Sequence, residues 1–341
     1  MLESPAPDAP GSLMAAEIAE QPDVLRRVLS YRAEIADAAE RIRRRACRFV
    51  LFAARGTSDH AALYAKYLTE VRLGLPAGLA SPSTMTVYGA RPDLADVLFA
   101  AVSQSGTSPD LVDSVAAARS CGALTVAVTN AADSPLAAAA EIHVDVRAGR
   151  ERAVAATKTY TAELFALYLL LMGPSSAGGE DAVPDAAEAT LQDPGAAAAE
   201  RYRFASRLVT TARGYSYATA REAALKLMET SYLSAQAFSA ADLLHGPLAM
   251  IDPGVPVIAV VTPGRGGDAM AAPLERLRAA GADVLQVGPA DGLPVASVGV
   301  AEELLPVLEI LPLQRLAMRL ALARGSDPDR PRGLAKETAT W

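Results

Sequence analysis

The chain has 341 residues, 51% of them apolar, with 32 Lys and Arg against 39 Asp and Glu for a net charge of −7. That length supports two domains of ordinary size, each able to bury its own core. The acidic balance without a Lys/Arg stripe argues against a nucleic-acid partner, and no run approaches the roughly 18 uninterrupted apolar residues of a membrane span.

In chain order, residues 1–13 are rich in proline and small residues and are expected to be disordered, with a helical pattern beginning at Met14. Arg41, Arg43, Arg44, Arg45 and Arg48 gather at one helix end, where cations favour the dipole, and read as a solvated face. A short apolar run over 49–53 ends near Gly56, and 58–71 has the caps and periodicity of a helix: strand, tight turn, helix. Strands are predicted over 97–102, 124–129 and 142–146, with helices over 111–120 and 157–172. Residues 173–200 are Gly, Pro, Ala and acidic residues with little periodicity, and read as an interdomain linker.

The plan then repeats, with strands over 208–212, 255–261 and 284–287 and helices over 217–232, 273–280 and 313–324. A polar tail follows from 325 to 341. Ala54-Arg55-Gly56-Thr57-Ser58 recurs as Ala212-Arg213-Gly214-Tyr215-Ser216, an offset of 158 residues. Ala100-Ala101-Val102-Ser103 recurs as Ala259-Val260-Val261-Thr262, and Gly122-Ala123 as Gly281-Ala282, both offset by 159. Such a near-constant offset is what a duplicated α/β unit leaves. The expected domains are 14–172 and 201–324, each a doubly wound, flavodoxin-like parallel sheet flanked by helices, with ligands outside the carboxyl ends of the strands.

Cys47 and Cys121 sit in or beside apolar pattern and imply no disulfide framework, while His60, His143 and His245 lack metal-ligand spacing. Neither a metal nor a cofactor is expected. The N-terminus has acidic residues and prolines in place of a basic segment followed by an apolar one, so a cytoplasmic protein is expected.

Two loops after strands carry the chemistry. Arg55-Gly56-Thr57-Ser58 and Ser103-Gln104-Ser105-Gly106-Thr107-Ser108 each place glycine and hydroxyls at a helix start. First-turn N–H groups and the helix dipole favour an anion there, and Thr57, Ser58, Ser103, Ser105, Ser108 and the Gln104 amide add neutral donors. The same residue types also serve as plain N-caps worth about 1 kcal/mol. Two such loops in one domain favour phosphate. A nucleotide motif of the G-x-x-x-x-G-K-[ST] or G-x-G-x-x-G type is missing from the first strand's turn, and Gly264-Arg265-Gly266-Gly267 reads as a flexible turn.

Glu222, Lys226 and Glu229 share one face of the helix after Ser216. By spacing alone such a stripe is a solvated face with small ion-pair gains. Its place at the site-bearing end of a domain, with His245-Gly246-Pro247 downstream, instead suggests a base and an acid for proton transfer.

Taken together, Gly56-Thr57-Ser58, Ser103-Gln104-Ser105-Gly106, Ala156-Thr157-Lys158, Ala224-Leu225-Lys226-Leu227-Met228-Glu229, His245-Gly246-Pro247-Leu248 and Pro331-Arg332-Gly333-Leu334-Ala335-Lys336 resemble the sugar isomerase (SIS) family. The resemblance is to the branch with two SIS domains, which includes the isomerase half of glucosamine-6-phosphate synthase and stand-alone glucosamine-6-phosphate deaminases. It spans nearly everything from Met14 to Lys336. It implies that Thr57, Ser58, Ser103, Gln104, Ser105 and Ser108 bind a sugar phosphate, with Gly56 and Ala156 also at the substrate. It implies that Glu229 moves a proton between carbons 1 and 2, with Lys226 one turn before it. His245 would open the sugar ring from a neighbouring subunit, implying a homodimer, and Lys336 would form a Schiff base with a ketose, its tail folding over the site.

Two departures stand out. Only about a dozen residues precede the first helix, so neither the synthase's glutaminase domain nor a regulator's helix-turn-helix is expected in this chain. Gln236 stands where similar sequences often carry glutamate. The motifs around Ser105 and Thr157 are closer to the deaminase branch. The expected activity is isomerising deamination of glucosamine 6-phosphate to fructose 6-phosphate and ammonia. The alternatives are elimination of the carbon-3 hydroxyl from N-acetylglucosamine 6-phosphate and a non-catalytic sugar-phosphate sensor.

Overall fold

A computed structural model describes residues 9–173, 179–192 and 196–336. The chain divides into two compact units, each drawing on separate stretches: 24–150 with 158–173, and 9–23 with 151–157, 179–192 and 196–336.

The first unit holds a five-stranded sheet of β1 (Phe49–Ala53), β2 (Ala77–Leu79), β3 (Val97–Ser103), β4 (Leu124–Thr129) and β5 (Ile142–Asp145). The strands are parallel in the order β2-β1-β3-β4-β5. Central strands β3 and β4 are buried almost throughout, as apolar runs covered on both faces should be. Phe99, Leu111, Val115 and Leu136 build one core cluster, while Phe52 is likewise buried. Each such side chain contributes about 1.5–3 kcal/mol when fully buried. The helix Lys158–Met172 is buried along nearly all its length, which explains why it reads as apolar without a face.

The second unit repeats this plan. β6 (Arg207–Ala212), β7 (Ser234–Ser239), β8 (Pro256–Val260), β9 (Asp283–Gly288) and β10 (Leu293–Pro294) form a parallel sheet in the order β10-β9-β8-β6-β7. Numbered within the unit, both sheets run 2-1-3-4-5, the doubly wound flavodoxin-like order. Identical topology at the sequence offset seen between the strands accounts for the internal repeat as a duplication. In both sheets the strand order reverses between the first and third strands, and this switch point is where such folds leave a crevice.

Several boundaries differ from the sequence reading. The expected linker over 173–200 includes two helices, Val183–Thr190 and Ala196–Tyr202, while 174–178 and 193–195 lie outside the described residues. Residues 1–8 and 337–341 also lie outside them, and the first helix begins at Ser12. The last helix runs over Leu305–Ala323, eight residues earlier than expected, because Pro306 occupies its first turn and Pro312 is accommodated within it. The helix Ser12–Ala19 and the segment 151–157 pack with the second unit. There Leu13 and Met14 donate backbone N–H bonds to Asp329, and Gln21 Nε2 donates to Gln314 Oε1 at 2.8 Å. No described helix is long and apolar enough to cross a membrane.

Candidate active site

In the first unit, the turns after β1 and β3 flank the switch point, because these two strands are hydrogen-bonded neighbours. Gly56 turns the chain into the helix Thr57–Leu68 at φ 56°, ψ −131°, a conformation that favours glycine. Gly106 makes the corresponding turn after β3 at φ 64°, and a Cβ there would lie 2.3 Å from Ser134 Oγ. Arg55 ties the two turns together, its Nε 2.8 Å from the buried Asp110 carboxylate at the start of the helix Pro109–Ser120.

The hydroxyls of these loops differ in what their protons do. Ser58 is buried and donates to Glu163 Oε1 at 2.9 Å, so its single proton is committed within the protein. Ser103 Oγ accepts the Gly106 N–H at 3.2 Å, and Ser105 Oγ accepts the Thr107 N–H at 3.3 Å while lying 2.7 Å from Thr107 Oγ1. Ser108 stands at the N-cap of the helix Pro109–Ser120 yet makes no capping bond with its side chain. Gln104 is held through its carbonyl, which accepts the Asn130 N–H. The loop after β3 therefore has hydroxyl groups and long internal hydrogen bonds that an incoming phosphate oxygen can replace. Thr57 opens the helix after β1 and is partly exposed.

In the second unit, Glu222, Lys226 and Glu229 lie on the helix Ser216–Ser231 as the sequence spacing requires, but the face is not solvated. Lys226 Nζ lies 2.6 Å from Glu229 Oε2 and 3.2 Å from Glu222 Oε1, with side-chain exposures of 1% for Lys226, 0% for Glu222 and 22% for Glu229. Burial pushes the Lys226 ammonium down, and Glu222 and then Glu229 outweigh it, so its pKa is raised above the ordinary lysine value. Of the three, only Glu229 reaches solvent. His245 follows the short helix Ala240–Leu244 and is exposed; its ring makes no hydrogen bond among the described residues.

Lys336 lies in the same unit with its Nζ 3.1 Å from Glu151 Oε2 and 2.7 Å from the Ala153 carbonyl. Glu151 has a fully buried side chain and also accepts the Thr157 N–H at 2.8 Å, beside the partly buried Ala156.

The second unit's own switch point has a different content. Glu302 accepts the N–H groups of Arg265 and Gly266 at 2.9 and 2.7 Å, in the turn after β8 that matches the Ser103–Ser108 loop at the 159-residue offset. Glu309 accepts from Ser216 at 2.7 Å, from Thr219 at 2.8 Å and from Thr262. Burial raises the Glu309 pKa, and its three hydroxyl donors only partly oppose this. Carboxylates thus occupy the turn where the other copy offers hydroxyls.

Glu163 and Glu309, which fix the first serines of the two copies, are absent from the sequence reading. Their signal was present as single acids inside otherwise apolar helical runs, Ala162-Glu163-Leu164 and Leu308-Glu309-Ile310. Glu151 stands in the polar stretch Gly149-Arg150-Glu151-Arg152, where nothing in periodicity marks it.

The SIS domain model matches residues 45–173 and 202–294. Glutamine--fructose-6-phosphate aminotransferase [isomerizing] of Methanothermobacter thermautotrophicus is 37% identical over 338 residues, covering 95% of this chain and 56% of that protein. The chain spans little more than half the length of the curated relatives it matches. A candidate phosphosugar isomerase from Silicibacter pomeroyi DSS-3 has a crystal structure that superposes with a TM-score of 0.86 at 35% identity, covering 93% of this chain and 99% of that one. Glucosamine-6-phosphate deaminase from Thermotoga maritima shares the fold, with a TM-score of 0.75 at 23% identity, covering 96% of this chain and 100% of that one. With two matched domains on two sheets of one topology, the chain belongs to the SIS domain family.

Proposed function

We propose that this protein is a phosphosugar isomerase that acts on an amino-sugar 6-phosphate and releases its nitrogen, converting glucosamine 6-phosphate to fructose 6-phosphate and ammonia. The observation that carries the reading is the Glu222–Lys226–Glu229 arrangement, a buried ammonium held between two carboxylates of which only Glu229 reaches solvent. Proton transfer between adjacent carbons needs one base that can take a proton and return it, and a carboxylate at the edge of a buried charge network suits that task.

Ser103, Gln104, Ser105 and Ser108, with Thr57, hold the 6-phosphate; Ser58 shapes its loop through Glu163. His245 opens the pyranose ring, acting from a second copy of the chain in a homodimer. Glu229 then takes the carbon-2 proton, made acidic by the carbon-1 aldehyde, and the enaminol that forms is protonated at carbon 1. The resulting carbon-2 imine adds water and loses ammonia, giving the ketose. The relatives named as isomerising aminotransferases and the deaminase that shares the fold support this direction of reading.

Incubation with glucosamine 6-phosphate, followed by assay of ammonia and fructose 6-phosphate, tests it. The two products in equal amounts are expected. An unsaturated product from N-acetylglucosamine 6-phosphate, with none from the free amine, would replace the reading with elimination; binding without turnover of either would replace it with a sensor.

A further inference from the structure

Lys336 is an amine on an exposed stretch of chain, and the protein fixes it by a specific seat. Residues 332–335 are exposed, whereas the Lys336 ammonium meets a buried carboxylate, Glu151, and a backbone carbonyl, Ala153. That carbonyl is itself set by a second buried acid. Glu17, on the helix Ser12–Ala19, accepts the N–H groups of Arg152 and Ala153. The other oxygen of Glu151 takes the Thr157 N–H, so one carboxylate holds both the lysine and the turn through Ala156. Burying two acids costs free energy, and here both are used to hold a short loop against one lysine.

We propose that Glu151 is the positioning residue of Lys336, fixing Nζ and taking its proton when the amine attacks a ketose carbonyl. The proposal rests on the reading, implied by the family resemblance, that Lys336 forms a Schiff base with a ketose. In the step, the Lys336 ammonium gives one proton to Glu151, and the neutral nitrogen forms a bond to carbon 2 of the open-chain ketose phosphate. The carbonyl oxygen becomes the carbinolamine hydroxyl and leaves as water after Glu151 returns the proton. Of the three ammonium hydrogens, one stays on the protonated imine and two depart with the oxygen, so charge and atoms balance without a further reactant.

The test is borohydride trapping with fructose 6-phosphate, read by intact mass and by peptide mapping to Lys336. Hydride adds to the imine carbon and makes the link permanent. The wild-type chain should be trapped at Lys336, Lys336→Arg should not, and Glu151→Gln should be trapped about tenfold to a hundredfold more slowly, the scale of a misplaced reacting group. Glu151→Asp, which keeps the acid, should recover part of the rate, and phosphate-site affinity measured with sorbitol 6-phosphate should remain near wild type in both variants. A wild-type chain that is not trapped would remove the Schiff-base reading itself. Trapping of wild type with equal or faster trapping of Glu151→Gln would leave that reading standing and overturn the role given to Glu151. A Glu151→Gln chain that loses sorbitol 6-phosphate binding as well would also overturn it, showing a general structural role.

Discussion

The Lys226 ammonium lies 2.6 Å from the Glu229 carboxylate inside the second unit, and Glu222 closes the far side at 3.2 Å. This relationship turns an ordinary helical charge stripe into a buried network with one solvent-facing end. It also separates the consequences of changing its members.

Glu229→Gln keeps the Lys226–Glu222 pair and loses only the outer carboxylate. The expected result is a loss of about 1–3 kcal/mol of stability, because the Gln amide oxygen keeps only a neutral hydrogen bond to the buried ammonium, and turnover reduced by about two to four orders of magnitude, the usual weight of a general base. Denaturant titration and steady-state kinetics on the same preparation check both.

Lys226→Met removes the ammonium 3.2 Å from the fully buried Glu222 carboxylate. Loss of about 3–5 kcal/mol of stability is expected. The pairing raises the Lys226 pKa, so its contribution is fully present below the unfolded lysine value of 10.5 and is lost only as pH rises through the higher folded value. The Lys226 contribution to wild-type stability should therefore stay flat from pH 6 to 9, within the range below that value, as denaturant titration of wild type across that range checks.

Ser58→Ala and Ser105→Ala should part company. Ser58 gives its proton to Glu163, so its loss leaves a buried acceptor short of a donor and should cost about 1–3 kcal/mol of stability. Ser105, which is partly buried and whose side-chain contacts stay with Thr107 in its own loop, should change stability little and weaken sugar-phosphate binding about tenfold, as expected for a hydrogen bond to a charged group. Thermal denaturation and calorimetric titration separate the two.

Glu309 has its pKa raised from 4.5 by burial, so the folded state holds this proton more tightly than the unfolded one. Its contribution is most favourable below the unfolded value and is lost as pH rises through the folded value. Glu309→Gln removes this dependence, and wild type should lose stability relative to the variant as pH rises from about 4.5 toward neutrality. A stability difference that does not change with pH would show that the carboxyl titrates normally.

An equimolar mixture of Glu229→Gln and His245→Ala chains, unfolded and refolded together, should recover roughly a quarter of wild-type activity if each site of a two-fold dimer draws His245 from the partner. Each variant alone should be nearly inactive. Activity of the mixture no higher than the mean of the two parents would place both residues' action within one chain.

The central strands were legible because each carries a short apolar run between turn signals: β3, β4 and β8 are buried almost throughout, while β6 and β9 keep apolar pairs, Leu208-Val209 and Val284-Leu285, beside polar residues. The three strands that escaped, β2, β7 and β10, are all sheet edges. Ala77-Gly78-Leu79 and Leu293-Pro294 are too short for a period, and Ser234-Ala235-Gln236-Ala237-Phe238-Ser239 is too polar and small to read as buried. The hydroxyl loops were visible in sequence because glycine and serine recur after two strands of one domain, where a single such loop would read equally as an N-cap. The partners that give these hydroxyls different roles, Glu163 at 105 residues from Ser58 and Glu309 at 93 from Ser216, arise only when distant helices cover the sheets. Gln236 pairs by its backbone in edge strand β7, and its exposed side chain acquires no partner there among the described residues.

The most direct test of Glu229 as the base is proton NMR of glucosamine 6-phosphate turnover in deuterated water. Wild type should yield fructose 6-phosphate carrying solvent deuterium at carbon 1, while Glu229→Gln should show neither that product nor exchange at carbon 2 of the substrate. Exchange by Glu229→Gln at the wild-type rate would contradict the account and assign the proton transfer to another group.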